Sequence, residues 1–338
     1  MYVSFWLKPL TLIRCELIMQ QTNYRIFTLG LLCFCIYAAA CTVQKHTTTS
    51  TQKTVDNQDR VAKNISVAEI AGNNKIAQYM HSFSGRGIQS DDSLPTPAQD
   101  TLKGFSYPDD LALDLVLSEP QVNQPVFINF DHRGRMWVVQ YNQYPYPEGV
   151  KVVDIDHHNR AVFDKTPKPP GQGLKGADKI TIFEDTNGDG VFDKSTDAIT
   201  GLNIATSVTL GRGKIWVLTP PYLVAYPDPD GDGLPDGEPE VHLDGFGLQD
   251  THAVANSLRW GPDGWLYGAQ GSTTISTVNS ADSKNVHFKG QAFWRYHPTL
   301  KTFEVYAEGG GNTFYVEIDD KGRFYSGTNE VIRGYYYK

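Results

Sequence analysis

One phrase recurs along this chain and limits what it can become: an apolar strand, a polar turn carrying glycine, then a second strand with an aromatic residue. Val126 to Phe130 and Met136 to Gln140 flank Asp131-His-Arg-Gly134, and the phrase returns as SVTLGRGKIWVL, LRWGPDGWLYGA and VEIDDKGRFYSG. Alternation of apolar and polar residues around a tight Gly turn marks a half-buried antiparallel hairpin. The turn glycines Gly134, Gly213, Gly264 and Gly322 are 79, 51 and 58 residues apart. Further strand pairs lie between them, KITIFEDTNGDGVFDK, YLVAYPDPDGDGLPD and QAFWRYHPTLKTFEVYAE. Two hairpins make a four-stranded sheet, and sheets repeating at a period near 50 predict an all-β propeller. About four blades are expected over residues 101–338, with the chain ending inside the last, as in a truncated propeller; a compact irregular β-fold is the alternative.

Ahead of the repeats the character differs. Arg25 precedes an apolar run from Ile26 to Ala40, too short for a comfortable membrane span and ending in small residues. It closes on Ala38-Ala39-Ala40-Cys41, which resembles the lipobox of bacterial lipoproteins. Residues 1–41 are therefore read as a lipoprotein signal peptide, with Met19 an alternative start and Cys41 the lipidation site. The expected location is the cell envelope, the periplasmic face or outer membrane of a Gram-negative bacterium. Residues 42–100 read as a polar tether and weakly patterned linker, in which Val67 to Met80 is either a short helix or disordered. All four cysteines fall within the first 41 residues, so the body has no thiol for a disulfide, zinc site or thioester. A net charge of -8 argues against a nucleic-acid partner.

Two turns carry acidic clusters. Asp185, Asn187, Asp189 and Asp193 stand at positions one, three, five and nine around Gly190, and Asp228, Asp230, Asp232 and Asp236 repeat the spacing around Gly233. The first half of each matches the calcium loop of an EF-hand, but position twelve is Thr196 or Pro239 instead of glutamate. The expectation is Ca²⁺ in a structural role, against plain Asx turns between strands.

The stretch DTHAVANSLRWGPDGWLYGAQG, Asp250 to Gly271, places His252 and Asn256 just before a strand, where a rigid scaffold presents loop groups to a ligand. Together with SEPQVNQPVFINFDHRGRMWVVQYNQYP, DKITIFEDTNGDGVFDK and FWRYHPTLKTFEVYAEG it resembles a family of membrane-bound dehydrogenase β-propellers of planctomycetes, verrucomicrobia and Bacteroidetes. That family is distantly similar to six-bladed sugar dehydrogenases that use pyrroloquinoline quinone (PQQ) with Ca²⁺. The resemblance implies an oxidoreductase acting on a sugar-like alcohol, with His252 as general base, a role suited to an imidazole. It makes Asn312 and Asn256 the candidate cofactor contacts, although fastening of loop backbone is the stronger reading for Asn256. Gly311 and Thr313 stand where the sugar dehydrogenases have arginine and proline, which removes the planar cation that would meet an acidic quinone.

A cytochrome electron acceptor is an implied partner, while no Cys-x-x-Cys-His haem motif occurs here. The competing reading is a non-catalytic propeller that binds a sugar-like small molecule, an envelope glycan or a protein, with tyrosines such as Tyr141, Tyr144 and Tyr146 as contacts or as packing between blades. An inactive fragment of a larger dehydrogenase is a further alternative. Nucleophilic hydrolysis is disfavoured, because no Gly-x-Ser-x-Gly phrase appears.

Overall fold

The computed structural model of the chain describes residues 3–7, 66–82, 94–309, 311–327 and 332–335. Cys41 and the apolar run before it lie outside the described residues. Strand β1 (Val3–Leu7), inside the segment read as leader, pairs antiparallel with β2 (Leu111–Leu115). Between them come α1 (Val67–Ile70), α2 (Asn74–Ser82) and α3 (Ala98–Lys103), so the expected helix over 67–80 is two short helices. Among the described residues no helix is long and apolar enough to cross a membrane.

The strands then follow the predicted hairpins. The first sheet has the order β3 (Pro125–Phe130), β4 (Met136–Gln140), β7 (Asp178–Glu184), β8 (Lys194–Leu202), with a separate hairpin β5 (Val152–Ile155) and β6 (Ala161–Phe163) inserted between its second and third strands. The second runs uninterrupted through β9 (Ser207–Gly211), β10 (Lys214–Thr219), β11 (Tyr222–Pro227) and β12 (Glu240–Leu243). The third is β13 (Ala255–Trp260), β14 (Leu266–Gln270), β17 (Ala292–His297) and β18 (Thr302–Glu308), again with an inserted hairpin, β15 (Ile275–Val278) and β16 (Val286–Lys289). The fourth holds β19 (Phe314–Ile318), β20 (Phe324–Gly327) and β21 (Ile332–Tyr335). The turn glycines all adopt the positive φ their position demands, 78° at Gly134, 67° at Gly213, 81° at Gly264 and 72° at Gly322.

Strand β4 shows why the sheets stack. It is buried on both faces, and its side chains alternate between two cores. Met136 and Val138 join Leu117, Val122 and Phe183 on one side. Trp137 and Val139 join Ile180, Ile182, Val208 and Ile215 on the other, which welds the first sheet to the second. Equivalent cores join the second sheet to the third around Trp216 and Trp294, and the third to the fourth around Tyr267 and Phe324. Each of the three complete sheets thus buries one tryptophan, and each indole N–H is satisfied: Trp137 by Asp131 Oδ2 at 3.1 Å, Trp216 by the Gly211 carbonyl at 3.0 Å, Trp294 by the Ala269 carbonyl at 3.1 Å.

The first strands of the sheets, β3, β9, β13 and β19, contact one another in that order. Successive four-stranded meanders packed face to face, with their first strands neighbouring around an axis, are the arrangement of propeller blades. Side chains fix the stagger between blades. Ser207 Oγ accepts from Leu258 N at 2.7 Å, and one blade later Ser257 Oγ accepts from Tyr315 N at 2.9 Å. Their sequence neighbours repeat the pattern, Thr206 Oγ1 donating to the Ala255 carbonyl at 2.7 Å and Asn256 Nδ2 to that of Thr313 at 3.2 Å.

Candidate functional site

The inner strands all start at one end of the assembly, here called the upper face, and their turn glycines lie at the lower one. At the upper face the residues opening these strands enclose an axial pocket of about 300 Å³. Val126 comes from β3 and Gln124 from the residue before it, Thr206 from the residue before β9, Asn256 from β13 and Val254 from the residue before it, and Phe314 from β19, with Tyr141 and Thr251 also in the lining and His252 and Tyr144 at the rim. The lining contains no Lys, Arg, Asp or Glu. Its size falls at the lower end of the range for small-molecule sites, about 300–1,000 Å³.

The β12–β13 loop positions His252. Ala253 N donates to the Asp250 carbonyl at 2.9 Å and His252 N to Asp250 Oδ1 at 3.1 Å, an Asx turn that leaves the imidazole pointing outward with 73% of its side chain exposed. Asp250 Oδ1 lies 3.5 Å from Nδ1, and Tyr144 Oη lies 2.5 Å from Nε2 with the two rings edge to face. Burial, and then the charge of Asp250, raise the Tyr144 phenol above its ordinary value, so it stays an O–H donor. With Tyr144 donating, Nε2 is the acceptor, and Nδ1 faces Asp250. Tyr141, three residues before Tyr144, is buried and donates to the Thr251 carbonyl at 3.0 Å, holding the histidine loop in place.

Asn256 fastens backbone, as the sequence suggests: its Nδ2 donates to Val254 and Thr313 carbonyls at 2.9 and 3.2 Å. Its amide oxygen is different. Asn256 is only 6% exposed, yet Oδ1 has no hydrogen-bond partner among the described residues, and the residue lines the pocket. Asn312 is not brought to this cavity; its Oδ1 accepts from Ser272 N at 2.9 Å and ties down the loop after β14.

The acidic turns are on the opposite, lower face, one strand length away, about 17–20 Å. In the first, Asp185 accepts from Gly190 N at 2.8 Å and Gly188 N at 2.7 Å, and Asp193 accepts from Thr186 N at 3.0 Å and Thr186 Oγ1 at 2.7 Å. These bonds, that from Gly190 foremost, hold the Asp185 carboxyl below the usual range. Asn187 and Asp189 bond each other at 3.2 Å, so the loop satisfies itself as a turn. The second differs. Asp228, Asp230 and Asp236 place oxygens within 4.8 Å of one another, the one group of three such ligands among the described residues, and Asp228 is buried. Burial, with the charges of Asp232 and Asp230, holds its carboxyl above the usual range. Asp232 turns away: its side chain accepts from Leu234 N at 2.7 Å and its carbonyl from Arg135. Hard oxygens so crowded suit a cation such as Ca²⁺.

PQQ carries three carboxylates, and the axial pocket offers no cation to meet them. Arg160 lines a neighbouring upper-face cavity of about 500 Å³, but its guanidinium is taken by Asp156 and the Thr273 carbonyl. The residues present do not fit the quinone.

Blades and pocket together define a β-propeller with a ligand-sized, uncharged upper pocket. The chain belongs to the family described as a domain of unknown function (DUF7133), whose profile matches residues 97–336. Among solved structures it is similar to regucalcin, a calcium-binding protein from Agrobacterium tumefaciens, at 13% identity and a TM-score of 0.35, covering 60% of this chain and 52% of that one. It is also similar to a protein described as a gluconolactonase, at 14% identity and a TM-score of 0.32, covering 66% and 63%. The chain thus spans between half and two thirds of the length of these structures. No curated protein sequence matches it.

Proposed function

We propose that the protein binds a neutral, polyhydroxylated molecule of the sugar type in its axial pocket, at the cell envelope, where a lipid on Cys41 holds it. The observation that carries this reading is the buried, unpartnered Asn256 Oδ1 in a pocket free of ionic side chains. Such an oxygen needs a donor, and leaving it bare costs about 1–3 kcal/mol. A sugar hydroxyl supplies that donor, and Gln124, Thr206 and Tyr144 are neutral partners for further hydroxyls.

A second reading is favoured by the order Asp250, His252, Tyr144. In it His252 is the general base in oxidation of the bound alcohol, and a partner such as a cytochrome accepts the electrons. The lining gives this reading no seat for PQQ.

Calorimetry with neutral monosaccharides and the matching uronic acids separates the possibilities. Binding of at least one neutral sugar, no binding of the acids, and a loss of about tenfold, some 1.4 kcal/mol, in His252→Ala are expected. In a parallel assay with PQQ, Ca²⁺ and a dye acceptor, no reduction is expected. Dye reduction that vanishes in His252→Ala would replace binding with oxidation.

A further inference from the structure

The cavity of about 500 Å³ beside the axial pocket has a floor and walls from four parts of the chain. The helices α1 and α2 supply Tyr79, the loop after β4 supplies Tyr146, the β5–β6 hairpin supplies Phe163, and the β12–β13 loop supplies Gln249. Tyr144, Thr251 and His252 line this groove and the axial pocket alike, so the two cavities are separated only by side chains that belong to both.

The groove is a built surface. The segment between α1 and α2 runs along β5: Gly72 N donates to the Val152 carbonyl at 2.8 Å and Asn73 Nδ2 to that of Val153 at 2.8 Å. A Cβ at Gly72 would stand 2.8 Å from Val153 Cγ1 and 2.9 Å from the Val152 oxygen, so this approach depends on glycine. Asn73 Oδ1 accepts from Ile76 N at 3.0 Å and starts α2, whose Ile76 is buried with Val152. At the far side, Arg160 bonds Asp156 on its own hairpin and the Thr273 carbonyl of the third blade, fixing the hairpin against the upper face.

Its lining is mostly uncharged, with Arg160 and Asp250 the exceptions. Tyr146 and Phe163 meet edge to face at 6.1 Å between centroids, and Tyr79 stands close enough to Tyr146 to act on its phenol. The guanidinium of Arg160 is paired, and Asp250 is engaged by the His252 backbone N–H. The rest of the lining is aliphatic side chains such as Ile70, Met80 and Ile155 together with aromatic faces and the amide and hydroxyl groups of Asn159, Gln249 and Thr251, a surface that takes the apolar face of a sugar ring while bonding its hydroxyls.

From this continuity we infer that the ligand is a linear neutral glycan of at least two sugar units, with one unit in the axial pocket, the next in the aromatic groove, and the linkage crossing the His252–Tyr144 pair. The inference rests on the axial pocket being a sugar site. It adds that chain length is read by Tyr146, Phe163 and Tyr79.

The test is calorimetry of the full chain with cello-, malto-, xylo- and manno-oligosaccharides of one to six units. In at least one series affinity should rise about tenfold or more from the monosaccharide to the trisaccharide and then level off. Tyr79→Ala and Phe163→Leu should remove that rise and leave the monosaccharide affinity unchanged, with thermal unfolding checked for each variant. Equal affinity for one and for several units, or a rise that survives both substitutions, overturns the groove assignment while the axial site stands. Absence of binding in all four series overturns both.

Discussion

Asp178 shows how much of the upper face hangs on single polar groups. It is fully buried; Oδ1 accepts from Gln143 N at 2.6 Å and Oδ2 from Ala205 N at 2.7 Å, so one carboxylate ties the loop of the tyrosines to the start of the second blade. Burial pushes its pKa up to about 7, against the pull of those N–H donors. The folded form therefore holds a proton that the unfolded chain, with a carboxyl near 3.8, releases. Its contribution to stability is complete below pH 4 and declines as pH rises through about 7. Melting temperature should fall between about pH 4 and 7 in the wild type, and this part of the slope should be missing in Asp178→Asn. That variant should also be less stable by about 2–4 kcal/mol at pH 5, because an NH₂ would face a backbone N–H. In the sequence Asp178 is merely the polar residue opening DKITIFED. Its partners lie 35 and 27 residues away, and no local pattern discloses them.

Hairpins are the scale at which the sequence speaks most clearly. Strand β4 occupies the predicted Met136–Gln140, and QAFWRYHPTLKTFEVYAE holds both strands of its pair, β17 and β18. In the other two stretches only the first strand falls where expected, β7 and β11, while the partners β8 and β12 begin at Lys194 and Glu240, because the acidic turns take up the residues expected to start them. A local device underlies several turns. Asp131, Asp156 and Asp319 each accept, through Oδ1, the backbone N–H two and four residues on, and through Oδ2 the Nε of an arginine at i+4. Two of these turns carry the expected glycine, Gly134 and Gly322. The third escapes a search for glycine because Asn159 takes the left-handed position at φ 60°, and the inserted β5–β6 hairpin goes unrecognised with it. The acidic loops show the converse. Their spacing is nearly identical, but only in the second do three carboxylates converge: in the first the turn's N–H and hydroxyl groups hold Asp185 and Asp193, while in the second Asp228 and Asp230 each accept a backbone N–H and still lie beside Asp236. Ca²⁺ at a hundred times its dissociation constant should raise stability by about 2.7 kcal/mol, and Asp228→Asn should abolish the rise in melting temperature. Since the loop is a strand length from His252, sugar affinity should not change on chelation.

At the level of the whole molecule the repeats foretell stacked blades, while the paired cavities stay hidden. Period and alternation are local properties, whereas the groove draws its walls from Tyr79 to His252 and exists only after the helices have docked on β5. All three tyrosines flagged in the sequence line a cavity, Tyr141 and Tyr144 the axial pocket and Tyr144 and Tyr146 the groove, and Tyr141 is also buried in packing with Ile204 and Val254, roles set by which neighbours the fold supplies. Contacts between blades carry their own prediction. Ser207→Ala would leave the N–H of buried Leu258 without its acceptor and should cost about 1–3 kcal/mol in chemical denaturation.

The serine hydroxyls of the first strands have a bearing on how such a chain can vary. Ser207 aligns the strand of the next blade, and Ser257 aligns the one after, so the third and fourth blades take their vertical alignment from a neighbour's side chain and not from the length of chain between them. The connecting segments are then free to lengthen. The intervals of 79, 51 and 58 residues record that freedom, and the two hairpins added above the first and third blades leave the strand pairings they interrupt, β4 with β7 and β14 with β17, in unbroken register.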